Sequence, residues 1–201
     1  MFFSIDGLPA SIIVTDDPLR AKMLVAHQLE NAELIYEQGD ELAYLGGYKG
    51  APIAVASVGF EPGAAAGFLR ELKGAGSIEV LYIGGCIGTT EAQALRTVVL
   101  AQGGSNILLS RARSAAQRYG IKTTVEKALP HGGEAGSGAV SDEATSALYE
   151  AAKEKEIEAL SVLTVSENIV TGEKMEEHEI RSRFYAAARL VFETFAVEPV
   201  G

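Results

Sequence analysis

Short apolar runs alternate along this chain with stretches whose apolar residues return every three or four positions. "SIIVT" (11–15) reads as a short buried strand. Asp17 then caps a helix whose first position is Pro18, where a missing N–H costs nothing. Leu19, Met23 and Ala26 predict an apolar stripe on that helix. "LAYLGGYKGAPIAVASV" (42–58) reads as a hairpin joined through Lys49-Gly50. A helix follows at "GAAAGFLRELKGAG" (63–76), closed by Gly74 and Gly76. "IEVLYIGGCIG" (78–88) predicts a strand ending in a glycine-rich turn, and "TVVLAQGG" (97–104) another strand. "SRARSAAQRYG" (110–120) predicts a helix and "IKTTVEKAL" (121–129) a further strand. "PHGGEAGSGA" (130–139) is the most flexible-looking segment. A helix over about Asp142 to Lys155 leads into the strand "ALSVLTVS" (159–166). A last helix, from about Glu173, carries Ile180, Phe184, Ala187, Ala188, Val191 and Phe195 on one face.

Strands alternating with helices imply an α/β fold: a mainly parallel sheet covered on both faces, with one antiparallel hairpin. The 201 residues fit one domain, 1–201, large enough to bury a core without staples. A hydrophobic fraction of 47% against 22% charged marks a globular chain. The formal net charge of -10 argues against nucleic acid or an anionic membrane as a general partner. It leaves small anions open, because these answer to local donors. Cys86 is the sole cysteine, so no intrachain disulfide can form, and a reducing, cytoplasmic compartment is expected. The N-terminus has no basic region before an apolar run, so neither a signal peptide nor a membrane span is expected.

In sheets of this kind ligands gather at the carboxyl ends of the strands. Three strand ends carry unusual residues: "TDDPLR", "YIGGCIGT" and "TVSENIVTGE". Arg20, in the opening turn of a helix, reads either as a surface arginine balancing Asp16 or Asp17, or as an anion clamp aided by the helix N–H groups. Gly84, Gly85 and Gly88 allow a close backbone approach, but the GxGxxG spacing of a dinucleotide site is missing. Cys86 reads as a small buried hydrophobe. Glu167 either caps the next segment or acts as a general acid raised by partial burial. His27, His131 and His178 lack metal-ligand spacing; the first and last read as helix-surface residues, leaving His131 in its glycine-rich loop.

Taken in order, these stretches resemble the nucleoside phosphorylase superfamily of purine nucleoside phosphorylases, uridine phosphorylases and related nucleosidases. "TDDPLRAKMLVAHQLENAELI" resembles its Gly-Asp-Pro-x-Arg phosphate loop and helix, and "GGYKGAPIAVASVG" its Tyr-Lys-Gly hairpin. "VLYIGGCIGT" resembles its Arg-Val-Gly-Ser/Thr-Cys-Gly strand. "AVSDEATSALYEAAKEKEIEALSVLTVSE" resembles the Met-Glu ribose segment and the Val-Ser-Asp strand. The resemblance implies a three-layer α/β/α fold with a mixed, mainly parallel central sheet, and cleavage of the N-glycosidic bond of a nucleoside. It implies Arg20, Phe60, Gly85, Asp142 and Glu143 as substrate-binding residues and Glu167 as the acid beside the base. It implies no metal and no cofactor, with phosphate as a co-substrate. It also implies a homo-oligomer, a dimer or hexamer; "MFF" (1–3) and "GAAAGFL" (63–69) offer contact surfaces, with burial inside the protomer the stronger alternative for the second.

The departures are as informative. The phosphate-loop glycine is Asp16, the arginine that grips phosphate is Tyr82, and the following Ser/Thr is Gly85. The arginine lent by a neighbouring subunit falls near Glu37 or Gln38, and the methionine of Met-Glu is Asp142. The stretch between "GGCIG" and "GAVSDE", which supplies much of the base pocket, is short. A carboxylate about 4 Å from a phosphate costs several kcal/mol at intermediate dielectric, so a degraded phosphate site is expected. Three readings follow: a phosphorylase, a nucleosidase using Asp16 or Asp17 as catalytic base, and a non-catalytic nucleoside-binding or assembly protein.

Overall fold

The computed structural model describes residues 8–61, 63–72, 78–130, 136–182 and 184–196. Its strands are β1 (Ser11–Thr15), β2 (Glu30–Gln38), β3 (Glu41–Tyr48), β4 (Ala51–Val58), β5 (Glu79–Gly88), β6 (Val98–Ala101), β7 (Thr123–Glu126), β8 (Ala128–Leu129), β9 (Val140–Ser141) and β10 (Glu158–Asn168). Its helices are α1 (Pro18–Gln28), α2 (Ala64–Glu71), α3 (Asn106–Tyr119), α4 (Thr145–Glu154), α5 (Glu177–Ser182) and α6 (Tyr185–Phe195). The strands form one mixed sheet in the order β2-β3-β4-β1-β5-β10-β6-β7, with β9 set against β5 and β8 against β9.

Alternation along the central strands divides the core in two. Ile12 and Val14 of β1 join Val80 and Tyr82 of β5 on the face covered by Phe68 and Leu69 of α2 and Leu148 and Ala151 of α4. Ile13, Leu81 and Ile83 face the other way, toward Leu24 of α1, Leu108 and Ala112 of α3 and Leu190 and Val191 of α6. The result is the expected three-layer α/β/α sandwich. The expected hairpin is β3–β4, and its two-residue link has φ of 50° at Lys49 and 81° at Gly50, a turn whose twist suits paired strands. Antiparallel pairing extends further than expected, to β2–β3, β10–β6 and β5–β9.

Several local expectations are corrected. On α1 the buried residues are Arg20, Ala21, Leu24 and Val25, one position round from the predicted stripe; Leu19 and Ala26 are exposed. The helix turns its only arginine inward, and the apolar face rotates with it. β2 has no counterpart among the predicted elements, since its residues are exposed except Tyr36 and it lacks a buried face to pattern its sequence. The glycines of "YIGGCIG" lie within β5, not in a turn beyond it. The predicted last helix is two: Ile180 belongs to α5, and Phe184 turns inward ahead of α6, its ring 4.6 Å below the Arg20 guanidinium. For "GAAAGFL" the alternative of burial holds: α2 turns Ala65, Ala66, Phe68 and Leu69 into the protomer. The "MFF" start, Gly74, Gly76 and His131 lie outside the described residues. Among the described residues no helix is long and apolar enough to cross a membrane.

Candidate functional site

β4, β1, β5 and β10 are mutually parallel neighbours, so their carboxyl ends share one rim. A cavity of about 680 Å³ opens there. The turn after β1 brings Asp16, Asp17 and Arg20; the segment after β4 brings Phe60; β5 brings Tyr82, Gly85 and Cys86. Ser141, Asp142 and Glu143 enter between β9 and α4, Ser166 from β10, and Glu177 and Ile180 from α5. Three strand ends read from the sequence therefore meet at one place. Phe60 stands at the mouth, 56% exposed, where an aromatic face can cover a ligand.

Arg20 is the central cation. It is only 6% exposed, held by the first turn of α1, which Asp17 fixes by accepting from the Leu19 N–H at 2.8 Å. Its Nη1 donates to Asp16 Oδ1 at 2.6 Å, Thr15 Oγ1 at 2.9 Å and the Ile83 carbonyl at 3.5 Å, and its Nη2 to the Ile180 carbonyl at 3.2 Å. Arg20 thus balances Asp16, as one of its two readings expects, but from a buried position facing the cavity and not from the surface. The Asp16 side chain keeps 37% of its surface exposed, open to a water in the cavity.

Tyr82 completes this corner. Its hydroxyl hydrogen-bonds Asp16, and burial first, then the Asp16 and Asp142 charges, push it well above the ordinary phenol value. It therefore serves as a neutral donor. Gly84 makes room for it, because a Cβ there would lie 2.7 Å from the Tyr82 ring. At Gly85 the space is tight and less restrictive: a Cβ would approach the Ser166 Oγ at 3.2 Å. The close approach that the glycines allow is made by Tyr82 and by Ser166 of the neighbouring strand.

Asp142 is 8% exposed and accepts from the Thr145 N–H at 2.7 Å, tying the first turn of α4 to the cavity wall. Burial pushes its carboxyl up, against the pull of the Thr145 and Ala144 donors, and the charge of Asp16 adds to the rise. Glu143 lies beside it, exposed at the mouth. The segment carrying both is fastened from below: Thr89 Oγ1 donates to the Ala139 carbonyl at 2.6 Å, and Gln93 Nε2 to the Gly138 carbonyl at 3.4 Å.

Glu167 departs from expectation. It does not line the cavity; its carboxylate pairs with Lys174 at 2.8 Å across an isolated antiparallel bridge. The cause is a bulge: β10 pairs with β5 in register up to Val165↔Cys86 and resumes at Glu167↔Ile87, leaving Ser166 as the extra residue. A bulge re-aims the side chains that follow it. Ser166 therefore faces the cavity, its Oγ donating to the Cys86 carbonyl at 3.3 Å. Asn168, two positions beyond Ser166, is fully buried and structural, donating to the Thr90 and Gln93 carbonyls at 2.8 Å each. Sequence reading did not assign roles to Tyr82, Ser166 or Glu177; the first carried a signal, as a tyrosine in place of an expected arginine. Among the described residues, no group of His, Cys, Asp and Glu is arranged to hold a metal ion.

No protein-family model matches the chain. Curated relatives do: it is 29% identical over 217 residues to a purine nucleoside phosphorylase of DeoD type from Alkaliphilus metalliredigens, covering 91% of this chain and 93% of that protein. A second, of the same description from Bacillus subtilis, is 26% identical over 208 residues, covering 87% and 89%. Among solved structures, uridine phosphorylase from Vibrio fischeri superposes with a TM-score of 0.77 at 19% identity, covering 94% of this chain and 92% of that one. The structural likeness establishes the fold.

Proposed function

From the membership of this chain in the nucleoside phosphorylase superfamily, as a divergent member, we propose that it cleaves the N-glycosidic bond of a nucleoside with water as the nucleophile. The observation that carries the choice of water is the Asp16–Arg20 pair at 2.6 Å. A phosphate dianion at Arg20 would have to displace Asp16 or sit beside it. At about 4 Å two unit charges repel by about 4 kcal/mol at an effective dielectric of 20. Tyr82, where the resemblance places an arginine, donates one neutral hydrogen bond and brings no charge. Asp16 itself, partly open to the cavity, accepts the proton of the attacking water. Phe60 covers the ligand, and Glu143 at the mouth takes the sugar hydroxyls.

A second reading, phosphorolysis, is favoured by the names of the relatives, which are described as phosphorylases. Base release from adenosine, inosine and uridine, measured in phosphate-free buffer and again with added phosphate, separates the two. Hydrolysis predicts the same rate in both; phosphorolysis predicts release only with phosphate. Absence of release from every nucleoside under both conditions leaves the binding-protein reading.

A further inference from the structure

Breaking an N-glycosidic bond leaves an electron pair on a base nitrogen, and a proton delivered there lowers the barrier. Glu167, the acid that the sequence resemblance implies, is held by Lys174 outside the cavity. Asp142 meets the geometric needs of such a group. It lines the cavity, is 8% exposed, and has one carboxyl oxygen fixed by the Thr145 N–H at 2.7 Å. Among the described residues it makes no ion pair, whereas Asp16 is paired with Arg20.

We propose that Asp142 is the general acid of this site, protonating the departing base while Asp16 receives a proton from the attacking water. The proposal rests on the hydrolytic reading above. The C1′–N bond breaks with its electron pair going to the base nitrogen, which takes the proton of Asp142. The water oxygen bonds to C1′ and releases its proton to Asp16. One water is thereby divided between the sugar hydroxyl and the base N–H, and exchange with solvent restores both carboxyls.

The surroundings divide the two carboxyls between these roles. The ionisable groups around Asp142 are Asp16 from the turn after β1, Tyr82 and Cys86 from β5, Glu143 beside it and Tyr149 from α4. The one cation among the described cavity residues is Arg20, and its guanidinium is directed at Asp16. Burial pushes the Asp142 carboxyl up, with Asp16 adding to the rise, so Asp142 holds its proton to higher pH than an ordinary aspartate. Two carboxyls in one cavity whose environments differ in this way form an acid and base pair.

The test compares wild type, Asp142→Asn and Glu167→Gln, each as the full chain, on the three nucleosides and on 4-nitrophenyl β-D-ribofuranoside. Nitrophenolate leaves without protonation. Asparagine keeps the hydrogen bond from the Thr145 N–H and loses only the proton. The expected result for Asp142→Asn is base release lowered about 10²–10⁴-fold, with nitrophenolate release lowered less than about 10-fold. Glu167→Gln is expected to keep the wild-type ratio of the two rates. Equal losses on both substrates in Asp142→Asn reduce Asp142 to binding or structure and overturn the proposal. So does a Glu167→Gln that alone separates the substrates. Wild type that releases nitrophenolate but no base lacks a working acid and overturns it too. Wild type inactive on all four compounds defeats the hydrolytic reading itself, and the assignment falls with it.

Discussion

Two buried carboxylates in this molecule live in opposite surroundings. Glu193, on α6, is 4% exposed, yet its Oε2 accepts from Lys49 Nζ at 2.6 Å and its Oε1 from the Tyr48 hydroxyl at 2.9 Å. Burial alone would push it up; hydrogen bonds from Lys49, Tyr119 and Tyr48 outweigh that and hold it below the usual glutamate range. Lys49 also donates to the Tyr119 hydroxyl at 3.2 Å, so the hairpin tip, α3 and α6 are tied at one point. Asp142 is buried almost as deeply, but its fixed partner is a backbone N–H, and its carboxyl is pushed up. A buried carboxylate with a cation beside it holds elements together. One denied a cation, like Asp142, keeps its proton to higher pH, at a cost in stability.

The largest expected effect that sharpens this contrast comes from Asp16. Asp16→Gly removes the proposed base and should lower base release about 10²–10⁴-fold. It should also free Arg20, so that calorimetric titration detects phosphate binding stronger than that of the wild type. Unchanged turnover and unchanged phosphate affinity would show that the carboxylate only aids the start of α1.

Glu193→Gln should act on stability instead. It leaves Lys49 without its counter-charge, and urea unfolding should show a loss of about 1–3 kcal/mol with base release per folded molecule unaltered. Because Glu193 is lowered in the folded protein, its contribution is fully present above the unfolded value, about 4.3, and is lost as pH falls through the folded value. The gap between wild type and variant should therefore narrow on acidification.

Asp142→Asn should show the opposite sign and the smallest size. A raised carboxyl contributes stability below its unfolded value, about 3.9, and loses that contribution as pH rises through the folded value. At neutral pH asparagine should be the more stable residue by up to about 1 kcal/mol, since it still accepts the Thr145 N–H, and the advantage should vanish near pH 3. A variant less stable than wild type at pH 7 would break the comparison.

Much of the architecture was legible in the sequence because its local rules agree. Asp17-Pro18 fixes the start of α1, Lys49-Gly50 the hairpin, and the apolar runs of β1, β5 and β10 the centre of the sheet. β2 was illegible because a strand exposed on both faces carries no alternation. The inward face of α1 was misread because a buried arginine looks like a surface residue until its acceptors are known. The site was legible as a set of strand ends, yet the direction of one side chain was not. A single extra residue at Ser166 reverses the alternation, and Lys174, seven positions beyond Glu167, takes up the carboxylate. Neither the bulge nor the Tyr82–Asp16 bond leaves a periodic trace.

Whether Asp16 occupies the place of phosphate and turns the site toward water is decided by the sugar product. Wild type is incubated with the most readily cleaved nucleoside in saturating phosphate, and the products are read by phosphorus and proton NMR. Hydrolysis at Asp16 yields free pentose and no phosphorus signal beyond inorganic phosphate. Pentose 1-phosphate as the main product would contradict it.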